Sequence, residues 1–408
     1  MNILCISKYA SPPKYGVAAR LFYLAKEIVI SGHNVTLMTS DSNHLAVFPE
    51  TNKHYVRENI DGVDVVWFKN RKYRKTASVD RILSWFSFEI SLFRFPKAKL
   101  KKPDVVIVSS LSLLSVLYGY YLKRYFRVPL VFEVRDIWPL TLVVEGGFAR
   151  YHPLTLFLGV IEKFGYRKAD LIVGTMPRLD LHVRKILGYD KPFFCSPLGF
   201  APKVMAARNQ ICIGELKKYF PKDRVIVGYA GSMGISNNLD GLVETISELK
   251  GDQKLHFVLV GSGDLRGKYE EVLQGFDNVT FVPRISPDMV PVFLKQCDIL
   301  YLSTHDSEVW KYGQSMNKVV EYMYAGKPIV ATYSGYPSMI DESGCGVFVK
   351  ENNMQGLVDQ LEILSDMGSE GRVAMGSKGN AWILKNRNYG ELAKQYLDRL
   401  SSISGLTK

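Results

Sequence analysis

Cysteine is scarce in this chain: five among 408 residues, an odd number, with no two at metal-ligand spacing. That excludes a disulfide framework and a zinc ribbon, and it reads as reduced, mostly buried thiols of a cytoplasmic protein. Acidic side chains are also short, 40 against 52 lysines and arginines. The resulting net charge of +12 calls for an anionic partner: nucleic acid, an anionic membrane or a phosphorylated ligand. No secretory leader is evident, since Met1 runs straight into an apolar stretch over residues 3–6 that reads as a buried strand. Long apolar runs are nearly absent. Residues 105–122 carry no charge, but they are barely long enough to span a bilayer and Ser109, Ser110, Ser112 and Ser115 dilute them. They read instead as a strand over 105–108, a loop, and a buried helix over 113–124. Short repeats, low-complexity segments and recognised nucleic-acid motifs are missing, so no nucleic acid is expected as partner.

What is present is a globular α/β pattern with 47% hydrophobic residues, in a chain long enough for two domains. Strand-like runs cover 3–7, 34–39, 63–68, 105–108, 130–134 and 171–173, with helical stretches between most of them. The pattern restarts with strands over 225–230, 255–260, 279–282, 299–302 and 329–332. Strands alternating with helices predict parallel sheets covered on both faces. The reading is two Rossmann-like, doubly wound domains, 1–200 and 201–385, with a seam in 195–214 and a C-terminal helix over 386–408.

Open α/β sheets bind ligands beyond the carboxyl ends of their strands, so the loops there hold the candidates. The loop after the first strand ends at Gly16, before a helix expected from Val17 with Arg20 one turn inside. Gly16 allows close approach to a ligand, or serves a plain strand-to-helix turn. After strand 130–134 comes Arg135-Asp-Ile-Trp-Pro139. Charges at the end of an apolar strand are costly to bury alone and suit a ligand wall, or a network that fixes the loop. Asp136 can orient an acceptor hydroxyl or take its proton, flanked by Arg135 and Trp138. In the second half, Gly231 and Ser232 open a turn that runs to Asn237, and Gly261 and Gly263 form a Gly-x-Gly after the next strand. Both resemble places where backbone amides meet phosphate. The polar loop His305-Asp-Ser-Glu308 has no common metal-ligand spacing, and neither an Asp-x-Asp metal signature nor a Ser-His-Asp set is present in these loops.

The most informative segment is Tyr312-Gly-Gln-Ser-Met-Asn-Lys-Val-Val-Glu321, which leads through Gly326 and Pro328 into a strand. Gly313 turns the backbone, and Ser315 or Asn317 can cap the helix that follows. The first amides of that helix then face outward with the positive dipole end behind them, and Lys318 adds a full charge. Glu321, one turn on, is in reach of a sugar diol. Phosphate donors beside a diol acceptor suit a nucleoside diphosphate; the plainer alternative is an ordinary helix start.

This segment resembles the donor-binding helix of retaining glycosyltransferases of family four, in the branch written Tyr-Gly-x-Ser-x-Asn-Lys among bacterial O-antigen and capsule enzymes similar to N-acetyl-L-fucosaminyltransferases. The resemblance implies the GT-B architecture, two domains facing a cleft with C-terminal helices crossing back. It implies that Glu321 holds the ribose, that the loop amides with Lys318 hold the diphosphate, that Arg284 borders the base, and that Arg135, Asp136 and Trp138 lie on the acceptor side. The function it implies is transfer of a sugar, with retention, from a nucleotide-sugar donor to a lipid-linked polyprenyl-diphosphate saccharide. No carboxylate pair is placed to hold a divalent cation against the diphosphate, while amides and Lys318 are, so neither metal nor other cofactor is expected. The nucleotide is expected to be UDP, and the branch suggests UDP-N-acetyl-L-fucosamine. The chain departs from the family at Gly313, where the first of two glutamates would stand, and at Ser232 and Asn237, where relatives place cations. The alternatives are an epimerase of the same fold and a catalytically weak sugar-nucleotide-binding scaffold. Finally, the helical run 82–95 is apolar, with Ser84, Ser87, Ser91 and Arg94 on one narrow stripe. Lys97, Lys99, Lys101 and Lys102 follow, and a basic run over 71–75 precedes. That composition predicts docking on an anionic membrane surface, on the inner face of the cytoplasmic membrane, unless the helix is core.

Overall fold

Runs of branched and aromatic residues, apolar on both faces, build two largely parallel sheets. The structure is a computed structural model and describes residues 1–16, 19–42, 49, 51, 53–73, 78–110, 112–336 and 338–405. The chain divides into two compact units, Met1–Gly199 with Tyr389–Lys408, and Phe200–Asn388.

The sheet of the first unit contains β1 (Asn2–Ile6), β2 (Asn34–Ser40), β3 (Tyr55–Ile60), β4 (Val63–Phe68), β5 (Val105–Ser109), β6 (Leu130–Val134), β7 (Leu171–Gly174) and β8 (Phe193–Cys195). Their order is β3-β4-β2-β1-β5-β6-β7-β8. All neighbours run parallel except β3 against β4. The second sheet contains β9 (Val225–Ala230), β10 (Leu255–Val260), β11 (Val279–Val282), β12 (Ile299–Ser303), β13 (Ile329–Thr332) and β14 (Gly346–Val349). It is wholly parallel, in the order β11-β10-β9-β12-β13-β14. Strand order reverses between β1 and β5 in one sheet and between β9 and β12 in the other. Such switch points open a crevice at the carboxyl ends.

Every strand read from the sequence forms. β3, β8 and β14 were not expected. β3 mixes Arg57, Glu58 and Asn59 into an antiparallel edge, β8 has three residues, and β14 starts on glycine, so none carries the apolar run of a central strand. The uncharged run over 105–122 becomes β5 and the helix Ser115–Phe126, which buries Val116, Tyr118 and Leu122; Leu111 lies outside the described residues. Among the described residues no helix is long and apolar enough to cross a membrane.

The helix Val79–Arg94 corrects the expected stripe. Ser84 is fully buried, because its carbonyl accepts from Asn70 and its hydroxyl donates to the Arg81 carbonyl. Trp85, Phe88 and Leu92 also turn inward, while Leu83, Phe86, Ile90 and Phe93 form an exposed ridge with Ile90 50% exposed. Phe86 stacks on Phe157 from the helix Pro153–Lys168, which adds exposed Leu156 and Val160 to the ridge. Lys97 sits over the Tyr121 and Tyr125 rings at one end. Arg74 and Lys75 of the basic run lie outside the described residues.

The last helix, Tyr389–Ser404, belongs to the first unit and packs on the helix Arg20–Ile30, with Tyr23 stacked on Tyr389 at 5.2 Å. Val17, where that helix was expected to start, lies outside the described residues, and Arg20 is its first residue rather than one turn inside. Arg20 is buried. It pairs with Glu133 at 2.9 Å and donates to the Ser196 carbonyl at 2.6 Å. Removing one partner of such a pair strands the other charge in a low-dielectric interior. Arg20→Ala is therefore expected to cost about 3–5 kcal/mol in urea unfolding, and Arg20→Met with Glu133→Gln much less. Equal losses in both variants would assign the stabilisation to packing instead.

Candidate functional site

At the carboxyl end of β9, four segments enclose a cavity of about 490 Å³. The turn after β9 supplies Gly231 and Ser232, and the turn after β10 supplies Gly261 and Ser262. The helix Asn317–Ala325 supplies Asn317, Lys318 and Glu321. Arg284, Ile285, Pro287 and Val290 close the far side. The volume lies in the usual range of a small-ligand site.

The two turns fit because Gly231 and Gly261 carry no Cβ where they meet. Gly261 adopts φ +148, and a Cβ there would lie 1.7 Å from the Gly231 carbonyl. Arg266 donates to the Gly261 carbonyl at 2.5 Å and the Val282 carbonyl at 2.8 Å, fixing the turn from behind. Gly263 packs on the Met233 backbone and is not in the cavity wall.

Lys318 defines the electrostatics. Its ammonium donates to the Tyr229 hydroxyl at 3.0 Å and to Asn237 Oδ1 at 2.5 Å. The Tyr229 hydroxyl in turn donates to the Ser232 carbonyl at 2.6 Å, and Ser303 Oγ donates to the Asn237 carbonyl at 2.5 Å. A Cβ at residue 231 would come within 2.7 Å of Lys318 Cε, so glycine there makes room for the lysine. Burial pushes the ammonium down to about 8, with Glu321 pulling the other way. Burial raises the Glu321 carboxyl, opposed by Arg208 and Lys318. Asn237, read as a lost cation, thus serves to hold the remaining one.

The helix itself departs from the expected cap. Met316 takes the N-cap position with extended backbone and no side-chain cap bond, and Asn317 is already the first helical residue. The first-turn amides are left without a side-chain cap and the helix dipole stands behind them. Tyr322 ties the helix to β9, its hydroxyl accepting from the Ala230 N–H at 3.1 Å. Gly326 ends the helix in the left-handed conformation, as expected. Gly313, at φ +97, caps the short turn Glu308–Tyr312, and neither it nor Ser315 is among the residues lining the cavity.

The remaining candidates, Gly16, Arg135, Asp136 and Trp138, lie in the first unit. Gly16 ends the turn Pro13–Tyr15 at φ 144. The loop after β6 is fixed through its backbone: the Arg135 N–H donates to Ser110 Oγ and its carbonyl accepts from Thr175 Oγ1. Burial raises the Asp136 carboxyl against the charges of Arg135 and Arg81. Trp138 is almost wholly covered, packed edge-on against Trp85 at 5.2 Å, so it offers a ligand little surface. Among the described residues, no group of three or more His, Cys, Asp or Glu side chains could hold a metal ion.

Sequence reasoning missed Tyr229, Ile285, Pro287 and Val290. Tyr229 could have been found from its place at the end of a strand, two residues before Gly231. The apolar three follow β11 and carry no charge to mark them.

Two parallel-sheet α/β units, each with its strand order reversing at a ligand-side crevice, are the GT-B class. The chain matches the glycosyl transferase 4-like domain over residues 15–192 and glycosyl transferases group 1 over residues 224–366. It belongs to these glycosyltransferases. No curated protein matches the sequence. Among solved structures it is similar to a sucrose-phosphate synthase from Thermosynechococcus elongatus, with 16% identity over all of both chains and a TM-score of 0.73. It is similar to a trehalose-6-phosphate structure from E. coli bound with UDP-2-fluoro glucose, with 11% identity over 99% of each chain and a TM-score of 0.71. It also resembles Anabaena Alr3699/HepE in complex with UDP, with 14% identity, 98% of this chain and 100% of that one covered, and a TM-score of 0.66.

The Lys318 ammonium predicts a pH dependence with two opposite signs. Below about pH 8 it is charged and able to attract an anionic ligand; above, that charge is lost. Affinity for a nucleoside diphosphate such as UDP should therefore fall as pH rises from 7 to 9.5. Without ligand, the unfolded chain keeps the lysine proton to higher pH than the folded one, so this residue's contribution to stability rises over the same interval. Lys318→Met should bind about 10–100-fold more weakly at pH 7, the loss of a charge-assisted contact, and with a flattened pH profile. Calorimetric titration at pH 7 and 9.5 checks this; an unchanged pH profile in the variant would take Lys318 out of the site.

Proposed function

We propose that the chain transfers a sugar from a UDP-sugar to a lipid-linked saccharide, with retention and without a metal. The observation that carries the donor reading is the half-buried Lys318 ammonium and the Glu321 carboxylate on one wall of the cavity, beside first-turn amides that no side chain caps. The amides and Lys318 are placed to stabilise the diphosphate as its bond to the sugar breaks, and Glu321 to accept from the ribose diol. A flat base fits against Ile285, Pro287 and Val290, with Arg284 at its edge. Two similar folds hold UDP or UDP-2-fluoro glucose, which favours UDP here. The transition state has oxocarbenium character, and fixed donors supply the charge stabilisation that an ion would otherwise give. Asp136, with its raised carboxyl at the end of β6, is the acceptor-side residue, and a polyprenyl-diphosphate saccharide of an O-antigen or capsule is the acceptor class.

A panel of nucleotide sugars tests this by donor-induced thermal stabilisation, since a ligand that binds the folded state raises its stability. A UDP-sugar is expected to stabilise the chain, with UDP-N-acetyl-L-fucosamine in the panel, and Glu321→Ala to remove most of the shift. Sugar transfer is expected to persist in EDTA. Stabilisation by no nucleotide sugar, or transfer that stops in EDTA and returns with Mg²⁺ or Mn²⁺, contradicts the proposal.

The acceptor brings the enzyme to the cytoplasmic face of a membrane. The exposed ridge of Leu83, Phe86, Ile90 and Phe93, extended by Leu156 and Val160 and followed along the chain by Lys97, Lys99, Lys101 and Lys102, has the chemistry of an interfacial surface. Each lysine near anionic lipid adds about 1 kcal/mol. Co-sedimentation with liposomes should rise with anionic lipid, fall with salt, and weaken when the four lysines become Gln or when Ile90 becomes Glu. Equal binding to neutral and anionic vesicles, or none, removes the membrane surface from the account.

A further inference from the structure

The positive charge of the chain is unevenly placed. Met1–Gly199 with Tyr389–Lys408 carries 32 lysines and arginines against 18 acidic side chains, whereas Phe200–Asn388 carries 20 against 22. The unit that holds the candidate donor cavity thus supplies none of the +12, and a nucleotide diphosphate does not account for it. In the first unit, β3, the end of β4 and the turn Lys97–Lys99 enclose a cleft of about 980 Å³ at the antiparallel edge of the sheet. Lys53, His54, Arg57, Lys69 and Lys99 surround Tyr55 in its wall, with no carboxylate among the described lining residues. Arg57 grips Asp64 with two prongs, Nε to Oδ1 and Nη2 to Oδ2, each at 2.6 Å. Its Nη1 donates to the Lys99 carbonyl at 3.3 Å, and Lys99 Nζ donates to the Tyr55 hydroxyl at 2.6 Å. Glu58, the acidic residue of β3, falls by alternation on the face opposite Tyr55 and Arg57, where it pairs with Lys14. The Lys69 N–H donates to the His54 carbonyl at 3.1 Å, which holds those two side by side across the strand pair. Lys53, His54 and Lys69 are exposed and have no ion-pair partner among the described residues.

We propose that this cleft binds the phosphate of an anionic phospholipid headgroup, at a site separate from the donor cavity. Gathered cations repel one another, and a shared anion offsets that repulsion. Phosphate offers several acceptor oxygens to a ring of ammonium and guanidinium donors that themselves accept nothing. The source of the phosphate follows from the path of the chain. The helix Val79–Arg94, which carries the exposed apolar ridge, runs directly into the cleft wall: Phe95 packs edge-on against Tyr55 at 4.8 Å, and Lys99 follows four residues on. The inference rests on the membrane reading above for that source and extends it from a charged surface to a shaped site. A cleft selects a headgroup by the placement of its donors, whereas a layer of lysines answers only to net charge.

The test uses the full chain and dihexanoyl-phosphatidylglycerol below its micelle concentration, a soluble lipid that presents the headgroup without a bilayer. Calorimetric titration is expected to show saturable binding that weakens as salt rises. Dihexanoyl-phosphatidylcholine, whose own ammonium meets the cations of the cleft, should bind about tenfold more weakly or less. The double variant Lys53→Gln, Lys69→Gln removes two exposed charges and no packing. It should weaken phosphatidylglycerol binding about 10–30-fold and leave the melting midpoint and the Kd for UDP unchanged. Ile90→Glu, which changes the ridge alone, should keep binding of the soluble lipid while co-sedimentation with vesicles falls. Soluble lipid bound at the cleft by a chain that sediments with no vesicle would keep the cleft and remove the ridge. Inorganic phosphate or pyrophosphate bound as tightly as phosphatidylglycerol would overturn a lipid as the occupant. No binding of phosphatidylglycerol, or binding that the double variant leaves unchanged, would overturn the site.

Discussion

A lysine ammonium inside the second unit is the constraint around which the candidate donor site is arranged. Lys318 is half-buried, and a cation drawn out of water must be paired or hydrogen-bonded or give up its proton more readily. Tyr229 and Asn237 supply its hydrogen bonds, and Glu321 one turn along supplies the nearest opposing charge. Gly231 is glycine because the lysine occupies the space of its side chain, and Gly261 is glycine because it meets the Gly231 carbonyl. Three loops from separate parts of the sequence are thereby fixed against one point of charge. The cost is an ammonium poised near neutrality, which an anionic ligand would return to full charge.

The sheet makes that arrangement possible. In a parallel sheet all strands end at the same edge, so the turns after β9, β10, β11 and β12 arrive together. The fold does not by itself decide the chemistry, which lies in the side chains placed on that edge. Here they are one cation, one carboxylate, uncapped amides and an apolar slot, a set that suits a nucleoside diphosphate. The first unit uses its own edge differently. It gathers Lys8, Arg81, Trp85 and Trp138 around the ends of β1 and β6, with Arg81 over both tryptophan rings. Burial and the neighbouring charges of Arg81 and Lys72 bring the Lys8 ammonium down to about 7.

Much of this was legible in the sequence. The central strands were, because burial on both faces leaves an unbroken apolar run. Lys318, Glu321 and Gly231 were, because charge and glycine at a strand end are conspicuous. What failed to show followed physical rules as well. A helix apolar on two sides does not reveal which side is inside, so the serine stripe pointed the wrong way while Trp85 and Phe88 took the core and Phe86 and Ile90 the surface. The N-cap fell on Met316 because backbone geometry defined it where no side chain did. Arg20, placed one turn inside its helix by the sequence, proved to be the first helical residue and half of a buried ion pair. Neutral groups were the most opaque: Tyr229, Ile285 and Pro287 carry no charge and break no pattern.

A crystal structure of the chain with bound UDP tests the central claim most directly. The account predicts the diphosphate against the amides of the Asn317–Ala325 helix and the Lys318 ammonium, the ribose hydroxyls on Glu321, and the base beside Ile285 and Pro287. UDP bound with its diphosphate away from Lys318, or in another cavity of the molecule, would contradict it.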